Sequence, residues 1–184
     1  MKSTKLLFAS IITMGTLFSA CKKDNPAPDP NEEEVITTMQ LSFTPVGGGA
    51  TLTYKFDDPD GPGGTAPTQD EIVLAPATVY NVSVQLLNKT ATPVNDITVE
   101  VAAEADAHRF YYQPSAGSNI IINGLNTDPN GVSLGITSIW TTTTAATGTT
   151  VVTLRHYPAT PPNKLETDLV SNTKSATDIN VSFA

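Results

Sequence analysis

The stretch that decides the fold is TVYNVSVQLLN, residues 78–88. Every second side chain in its middle is apolar, and the residues between them are small or polar. This period of two is typical of a β-strand that turns one face to a core. The apolar positions are Tyr80, Val82, Val84 and Leu86. We therefore predict a half-buried β-strand here.

The same alternation continues on both sides of PVGGG, residues 45–49. The positions in phase are Val35, Thr37, Met39, Leu41 and Phe43 before it, and Ala50, Leu52, Tyr54 and Phe56 after it. Glycine tolerates the backbone conformations of a tight turn. Residues 35–56 are therefore predicted to form a β-hairpin with one apolar face.

Several more short segments have strand-like patterns, and Gly, Pro, Asn and Asp separate them. They are residues 108–113, 119–124, 134–142, 149–157 and 178–184. About seven to nine short strands with such turns predict an all-β fold, a single antiparallel β-sandwich, Ig-like or similar, over residues 35–184. Gly148 is predicted to mark a hairpin turn between the strands of Trp140 and Val152.

Residues 95–108, NDITVEVAAEADAH, break the period of two. The apolar residues Ile97, Val101 and Ala105 recur every fourth position. With Asn95 or Asp96 as the cap of the first turn, this spacing predicts one short surface helix across an end of the sandwich. Because the segment also contains β-branched residues, strands at 97–103 and 107–113 are the alternative.

Composition and charge exclude some functions. Ten Lys and Arg stand against eighteen Asp and Glu, which gives a formal net charge of −8. No nucleic-acid partner is expected, because Lys and Arg supply most of the affinity for phosphates. The chain contains no nucleophile elbow and no phosphate-binding loop. We therefore predict a binding or accessory module that is not an enzyme and needs no organic cofactor.

The N-terminus has the pattern of a secretion signal. Lys2 and Lys5 precede the apolar run LLFASIITMGTLF, residues 6–18, which is shorter than the ~20 residues of a comfortable transmembrane helix. Small residues lie directly before Cys21, the single cysteine of the chain. The pattern looks like the lipobox of bacterial lipoproteins, although Phe18 stands where Leu, Val or Ile is usual. In that class the signal peptide, here residues 1–20, is removed and Cys21 is acylated.

Residues 21–34 are predicted to be the acylated cysteine and a disordered tether. The stretch KKDNPAPDPNEEE is rich in Pro and acidic residues and has no apolar run. Acyl chains contribute ~0.8 kcal/mol per buried CH₂, so several would anchor the protein to the membrane. Lysines and an acidic residue directly after the cysteine resemble a surface-export signal. The expected location is thus the outer membrane, facing either the periplasm or the surface.

One set of residues is a candidate metal site. Glu100, Glu104 and His108 follow at spacings of four, which places them on one stripe of a helix. On a strand, Asp106 would instead join Glu104 and His108 on one face. If the fold brings His156 to His108 with a carboxylate, the set would suit Zn²⁺, Cu²⁺ or Ni²⁺. Solvated glutamates and separate histidines at strand ends are the alternative.

A second candidate is the segment FDDPDGPGG. Its carboxylates Asp57, Asp58 and Asp60 are oxygen donors of the kind that Ca²⁺ takes. The segment lacks the spacing of an EF-hand loop, and Asp-Pro-Asp-Gly is also an ordinary turn sequence.

Several phrases of the mature chain resemble a family of small Bacteroidota envelope lipoproteins. They are YKFDDPDGPGG, ATVYNVSVQLLN, EADAHRFYYQ, NGVSLGITSIWTT and DINVSF. The resemblance implies an accessory role beside an outer-membrane TonB-dependent uptake receptor, and it implies no functional residues. The type 1 periplasmic binding fold sometimes assigned to such proteins is not expected, because the chain is short and has no repeated βαβ units.

Overall fold

The computed structural model of the protein describes residues 34–157 and 164–184. The predicted signal peptide, Cys21 and the tether up to residue 33 lie outside the described residues. Within them, two antiparallel β-sheets pack together around one hydrophobic core, and one short helix joins them. The predicted all-β, sandwich-like fold is confirmed.

The described elements are β1 (Thr38–Pro45), β2 (Leu52–Asp57), β3 (Thr68–Gln69), β4 (Val79–Asn88), β5 (Asn95–Asp96), α1 (Ile97–Ala103), β6 (His108–Pro114), β7 (Ile120–Asn123), β8 (Thr137–Thr142), β9 (Thr150–His156) and β10 (Ala176–Phe183). The chain forms the first five strands in the large sheet, β6 in the small sheet, β7 and β8 in the large sheet, and β9 and β10 in the small sheet. Among the described residues, eight strands have four residues or more, and β3 and β5 have two each.

The large sheet has the order β3-β2-β1-β4-β8-β7, with β5 paired to β4. The predicted hairpin is present, since β1 and β2 pair antiparallel with Leu41 opposite Tyr54. The strand predicted from residues 78–88 is β4, which lies between β1 and β8. Its alternation is borne out in burial: Tyr80, Val82, Val84 and Leu86 are all buried.

The small sheet has the order β10-β9-β6. The predicted hairpin turn at Gly148 is wrong, because the strand of Trp140 belongs to the large sheet and the strand of Val152 to the small one. The segment between them crosses from one sheet to the other. The strand predicted over residues 178–184 forms part of β10, which pairs antiparallel with β9.

Aromatic side chains fill the space between the sheets. Phe43 of the large sheet packs edge-on against Trp140, with ring centroids 5.2 Å apart and an interplanar angle of 90°. Tyr112 of the small sheet contacts the other side of this cluster, 5.7 Å from the Trp140 ring. Such edge-to-face pairs stabilise a core beyond the area that they bury.

The predicted helix forms over residues 97–103, so the alternative of a strand there is wrong. The carboxylate of Asp96 accepts a hydrogen bond from the backbone N–H of Thr98, which caps the first turn. Ile97 and Val101 are buried against the core. In the part of the chain that the structure describes, no helix has the length and apolar character needed to cross a membrane.

Candidate functional site

Two histidines lie opposite each other at one end of the small sheet. His108 is the first residue of β6 and His156 the last of β9, and the antiparallel register pairs them directly. Their imidazole rings stack with centroids 4.5 Å apart and an angle of 27° between the planes. Both residues are buried. The candidate metal site required the fold to bring His156 to His108, and the structure places the two side by side.

The turn after α1 orients His108. Nδ1 of His108 lies 3.1 Å from the backbone carbonyl oxygen of Glu104. A carbonyl only accepts hydrogen bonds, so Nδ1 carries the proton and donates it. In the neutral ring, Nε2 therefore presents its lone pair to the other members of the cluster.

The helical stripe of carboxylates predicted from the spacing of four does not join the histidines. α1 ends at Ala103, before His108, so the stripe is interrupted. The Glu104 side chain is exposed, and its contact with His108 comes from the backbone. Glu100 is also exposed, and its Oε1 accepts a hydrogen bond from the Asn95 amide at 2.6 Å.

Glu34 supplies one carboxylate in their place. Its Oε1 lies 2.8 Å from Nε2 of His108, and its Oε2 lies 3.8 Å from Nδ1 of His156. Among the described residues, Oε2 is buried and accepts no hydrogen bond. Glu34 is the last residue of the segment assigned to the tether, and no feature of the acidic run NEEE distinguishes it from its neighbours.

Asp178 supplies a second carboxylate through a β-bulge. Thr177 pairs with Arg155 of β9 and Ile179 with the next residue, Leu154, so Asp178 is the extra residue of β10. A bulge redirects a side chain relative to the regular strand. The Asp178 side chain is fully buried, with Oδ2 3.9 Å from Nε2 of His108. A regular alternation would have placed it on the opposite face from Ile179, so the sequence pattern did not reveal it.

Burial and charge shift the pKa values of His108 and Glu34, the closest pair in the cluster, in opposite directions. Burial, the largest influence, lowers the pKa of the His108 imidazole, but the hydrogen bond and charge of Glu34 outweigh it, so the pKa is raised. Burial likewise raises the pKa of Glu34, and the contacts with His108 outweigh it, so the pKa is lowered. The stabilisation from this ion pair is lost as the pH falls through the lowered pKa of Glu34 or rises through the raised pKa of His108.

The four side chains converge on one point. One ligand atom from each of Glu34, His108, His156 and Asp178 lies within 4.8 Å of the other three. Across residues 34–157 and 164–184, no other group of three or more His, Cys, Asp or Glu side chains converges in this way. We call these four residues the His-carboxylate cluster.

The predicted calcium-type turn has a different arrangement. Asp57 forms an ion pair with Lys89 at 2.6 Å and lies 3.6 Å from Lys55. Asp60 accepts a hydrogen bond from the backbone N–H of Thr65 at 2.8 Å. Burial and the neighbouring Asp60 raise the pKa of Asp58. Asp57 is thus paired with lysines, whereas Asp58 and Asp60 interact with each other, and the three carboxylates do not form one group of converging ligand atoms.

A buried lysine holds the backbone beside the cluster. Nζ of Lys164 donates hydrogen bonds to the carbonyl oxygens of His108 and Ala105, at 2.9 and 2.7 Å. It also pairs with Asp128 at 3.0 Å, and both side chains are almost completely buried. Lys164 therefore ties the start of β6 to the segment that contains Asp128, and so fixes the position of His108.

Comparison with protein-family models, with curated proteins and with solved structures gives no match for this chain. The chemistry of the His-carboxylate cluster is therefore the basis for the proposals below.

Replacing Lys164 by methionine should destabilise the domain. The substitution keeps an unbranched apolar stem but leaves the Asp128 carboxylate buried without its cation, so the free energy of unfolding should fall by about 3–5 kcal/mol. Urea denaturation measures the change. In the double variant Lys164→Met with Asp128→Asn, much of the loss should be recovered, because no charge is then left unpaired. A loss below about 1 kcal/mol in Lys164→Met, the range of an exposed pair, would contradict this role.

Proposed function

We propose that the domain binds a divalent transition-metal ion, and that Zn²⁺ suits it best, through Glu34, His108, His156 and Asp178. The observation that carries the proposal is the convergence of four ligand atoms within 4.8 Å in a buried position. Imidazole nitrogens and carboxylate oxygens are donors that zinc takes in four-coordinate sites. This chemistry requires no reaction, so it agrees with a non-catalytic module.

The distances suit a tetrahedral ion. Bonds of ~2.0–2.1 Å to zinc place neighbouring ligand atoms about 3.3–3.5 Å apart in a tetrahedron. The separations from His108 Nε2 to the two carboxylates are 2.8 and 3.9 Å, and that from His156 to Glu34 is 3.8 Å. The Glu34 oxygen is Oε1 in the separation from His108 and Oε2 in the separation from His156, and one ligand atom from each of the four residues lies within 4.8 Å of the others. Side-chain movements that draw these atoms to the tetrahedral spacing would accommodate the ion.

The charges also favour a dication. Two buried carboxylates need compensation, because an uncompensated buried charge costs several kcal/mol. Protonating both imidazoles would supply it, but it would place two positive charges in rings that stack 4.5 Å apart. One divalent ion neutralises both carboxylates and leaves both imidazoles neutral.

His108 has the tautomer that a metal ligand needs. Its Nδ1–H donates to the Glu104 carbonyl, which leaves Nε2 for the ion. A hydrogen bond from the second ring nitrogen to a carbonyl or carboxylate is the usual support of a ligating histidine. Glu104, predicted from the sequence as a ligand, would thus act through its backbone.

Calorimetry on the full chain, purified in mild detergent and freed of metal by a chelator, tests the proposal. We expect one Zn²⁺ per chain with micromolar or tighter affinity, and Ca²⁺, which prefers oxygen ligands, should not compete for this site. Zinc at about 100 times its dissociation constant should raise the free energy of unfolding by about 2.7 kcal/mol. The affinity should fall at acidic pH, because protons compete for the imidazoles.

Matched variants locate the site. His156→Asn and Asp178→Asn should lose tight binding, whereas Glu104→Gln should bind zinc as the wild type does, because only its backbone contacts His108. Circular dichroism of each metal-free variant checks that it is folded. Wild-type protein without zinc binding, or tight binding that survives both His156→Asn and Asp178→Asn, would overturn the proposal.

We also propose that the domain is delivered to the cell envelope as a lipoprotein anchored through Cys21. The support is the sequence pattern around Cys21, namely basic residues, an apolar run and small residues before the cysteine. The accessory role beside a TonB-dependent receptor and the calcium-type turn stay predictions.

Mass spectrometry of the protein extracted from membranes tests the anchor. In a bacterium with an outer membrane, the mature chain should begin at Cys21 and carry the mass of a diacylglycerol and an amide-linked acyl chain. A chain that begins elsewhere, or an unmodified Cys21, would contradict the anchor and would leave the metal proposal unaffected.

A further inference from the structure

Three members of the His-carboxylate cluster belong to the small sheet. His108 and His156 face each other across the β6–β9 ladder. Asp178 follows two residues after Ala176, which pairs with His156 in the β9–β10 ladder. The backbone hydrogen bonds of the sheet thus hold these three ligands in place whether or not Glu34 is present.

Glu34 reaches the cluster from the other sheet. It lies before β1, in a segment that is not part of a strand. The segment is fixed at Thr37, whose backbone N–H donates to the carbonyl of Leu87 in β4 at 2.9 Å and whose carbonyl accepts from Asp58 at 2.8 Å. Between these points Val35 is 53% exposed. Residues 34–37 therefore run from the large sheet to the small one, and the carboxylate of Glu34 contacts both histidines there.

We propose that a metal ion in the cluster acts as a latch that fastens the entry segment, residues 34–37, to the small sheet. This inference rests on the proposed metal binding. With the ion bound, a coordinate bond from Glu34 to the metal replaces its ion pair with Nε2 of His108. Without the ion, Glu34 is held there by its contacts with His108 and His156, and the segment opens more often. Metal occupancy thus controls how firmly the chain that leads into β1 is attached to the domain.

The latch assigns different roles to the four ligands. His108, His156 and Asp178 form a preformed set of three ligands on the small sheet, and Glu34 completes it. Loss of Glu34 should therefore weaken zinc binding without abolishing it, because a water molecule can take the fourth position, as it does in open zinc sites. Loss of His108, His156 or Asp178 removes part of this preformed set and should abolish tight binding.

Amide hydrogen exchange of Thr37 and Asp58, measured in the full chain with and without saturating Zn²⁺, tests the latch, because both N–H groups are hydrogen-bonded at the entry segment. In the wild type, zinc should slow exchange at these amides roughly tenfold, since opening of the segment then requires breaking a metal–ligand bond. In Glu34→Gln, zinc should bind roughly 10–100-fold more weakly, a loss like that seen when a ligand's support is removed. At saturating zinc, that variant should show no added protection of Thr37 and Asp58. The control Glu104→Gln should behave as the wild type.

The outcomes separate the two proposals. If zinc binds the wild type but leaves exchange at Thr37 and Asp58 unchanged, the latch is overturned and the metal site stands. Equal protection in Glu34→Gln, or complete loss of zinc binding in that variant, also overturns the latch, because both contradict a closing role for Glu34. If the wild type binds no zinc, both proposals fall.

Discussion

The antiparallel register between β6 and β9 is the constraint on which the candidate site depends. His108 and His156 share their sheet face with Phe110 and Leu154, which are fully buried. A slip by one residue would turn each of these apolar side chains to the opposite face. The hydrophobic core thus selects one register, and that register places the two imidazoles in contact. The position of the histidines is a consequence of core packing a few residues away.

Charge then decides what this position can do. Two carboxylates that are far apart in the sequence converge on the stacked imidazoles: Glu34 lies before β1, and Asp178 lies in the last strand. Burying them stabilises the fold only if positive charge accompanies them. In the metal-free form, the His108–Glu34 ion pair provides part of this compensation. In the proposed metal-bound form, a divalent ion would add two positive charges beside both carboxylates and would join the entry segment to the small sheet through Glu34. In that form, the two buried carboxylates, which destabilise the metal-free domain, provide the affinity for the ion.

The sequence predicted the strands and the helix well and the cluster only in part. Alternation identified β1, β2 and β4, because their apolar residues face one core with period two. The composition around Gly148 predicts a hairpin, because it marks a turn but cannot show that the chain passes to the other sheet. His108 and His156 were identified as the only two histidines of the chain. Their contact depends on a pairing between strands about forty residues apart, which no local pattern encodes.

The carboxylates of the cluster could not be identified from local sequence patterns. The spacing of Glu100 and Glu104 predicted ligands on a helix that in fact ends before His108. Asp178 enters the cluster through a bulge, a departure from the alternation used to recognise its strand. Glu34 belongs to an acidic run that composition alone assigns to a solvated tether. Both true members of the cluster therefore act through tertiary structure.

The measurement that tests the central claim most directly is X-ray absorption spectroscopy at the zinc edge of the loaded full chain. Two imidazole nitrogens and two carboxylate oxygens should surround the ion at ~2.0–2.2 Å, with the multiple-scattering features of histidine rings. Replacing His156 by asparagine should remove one imidazole from the spectrum. A shell of about six oxygens without imidazole, which is typical of an ion on surface carboxylates, would contradict the account.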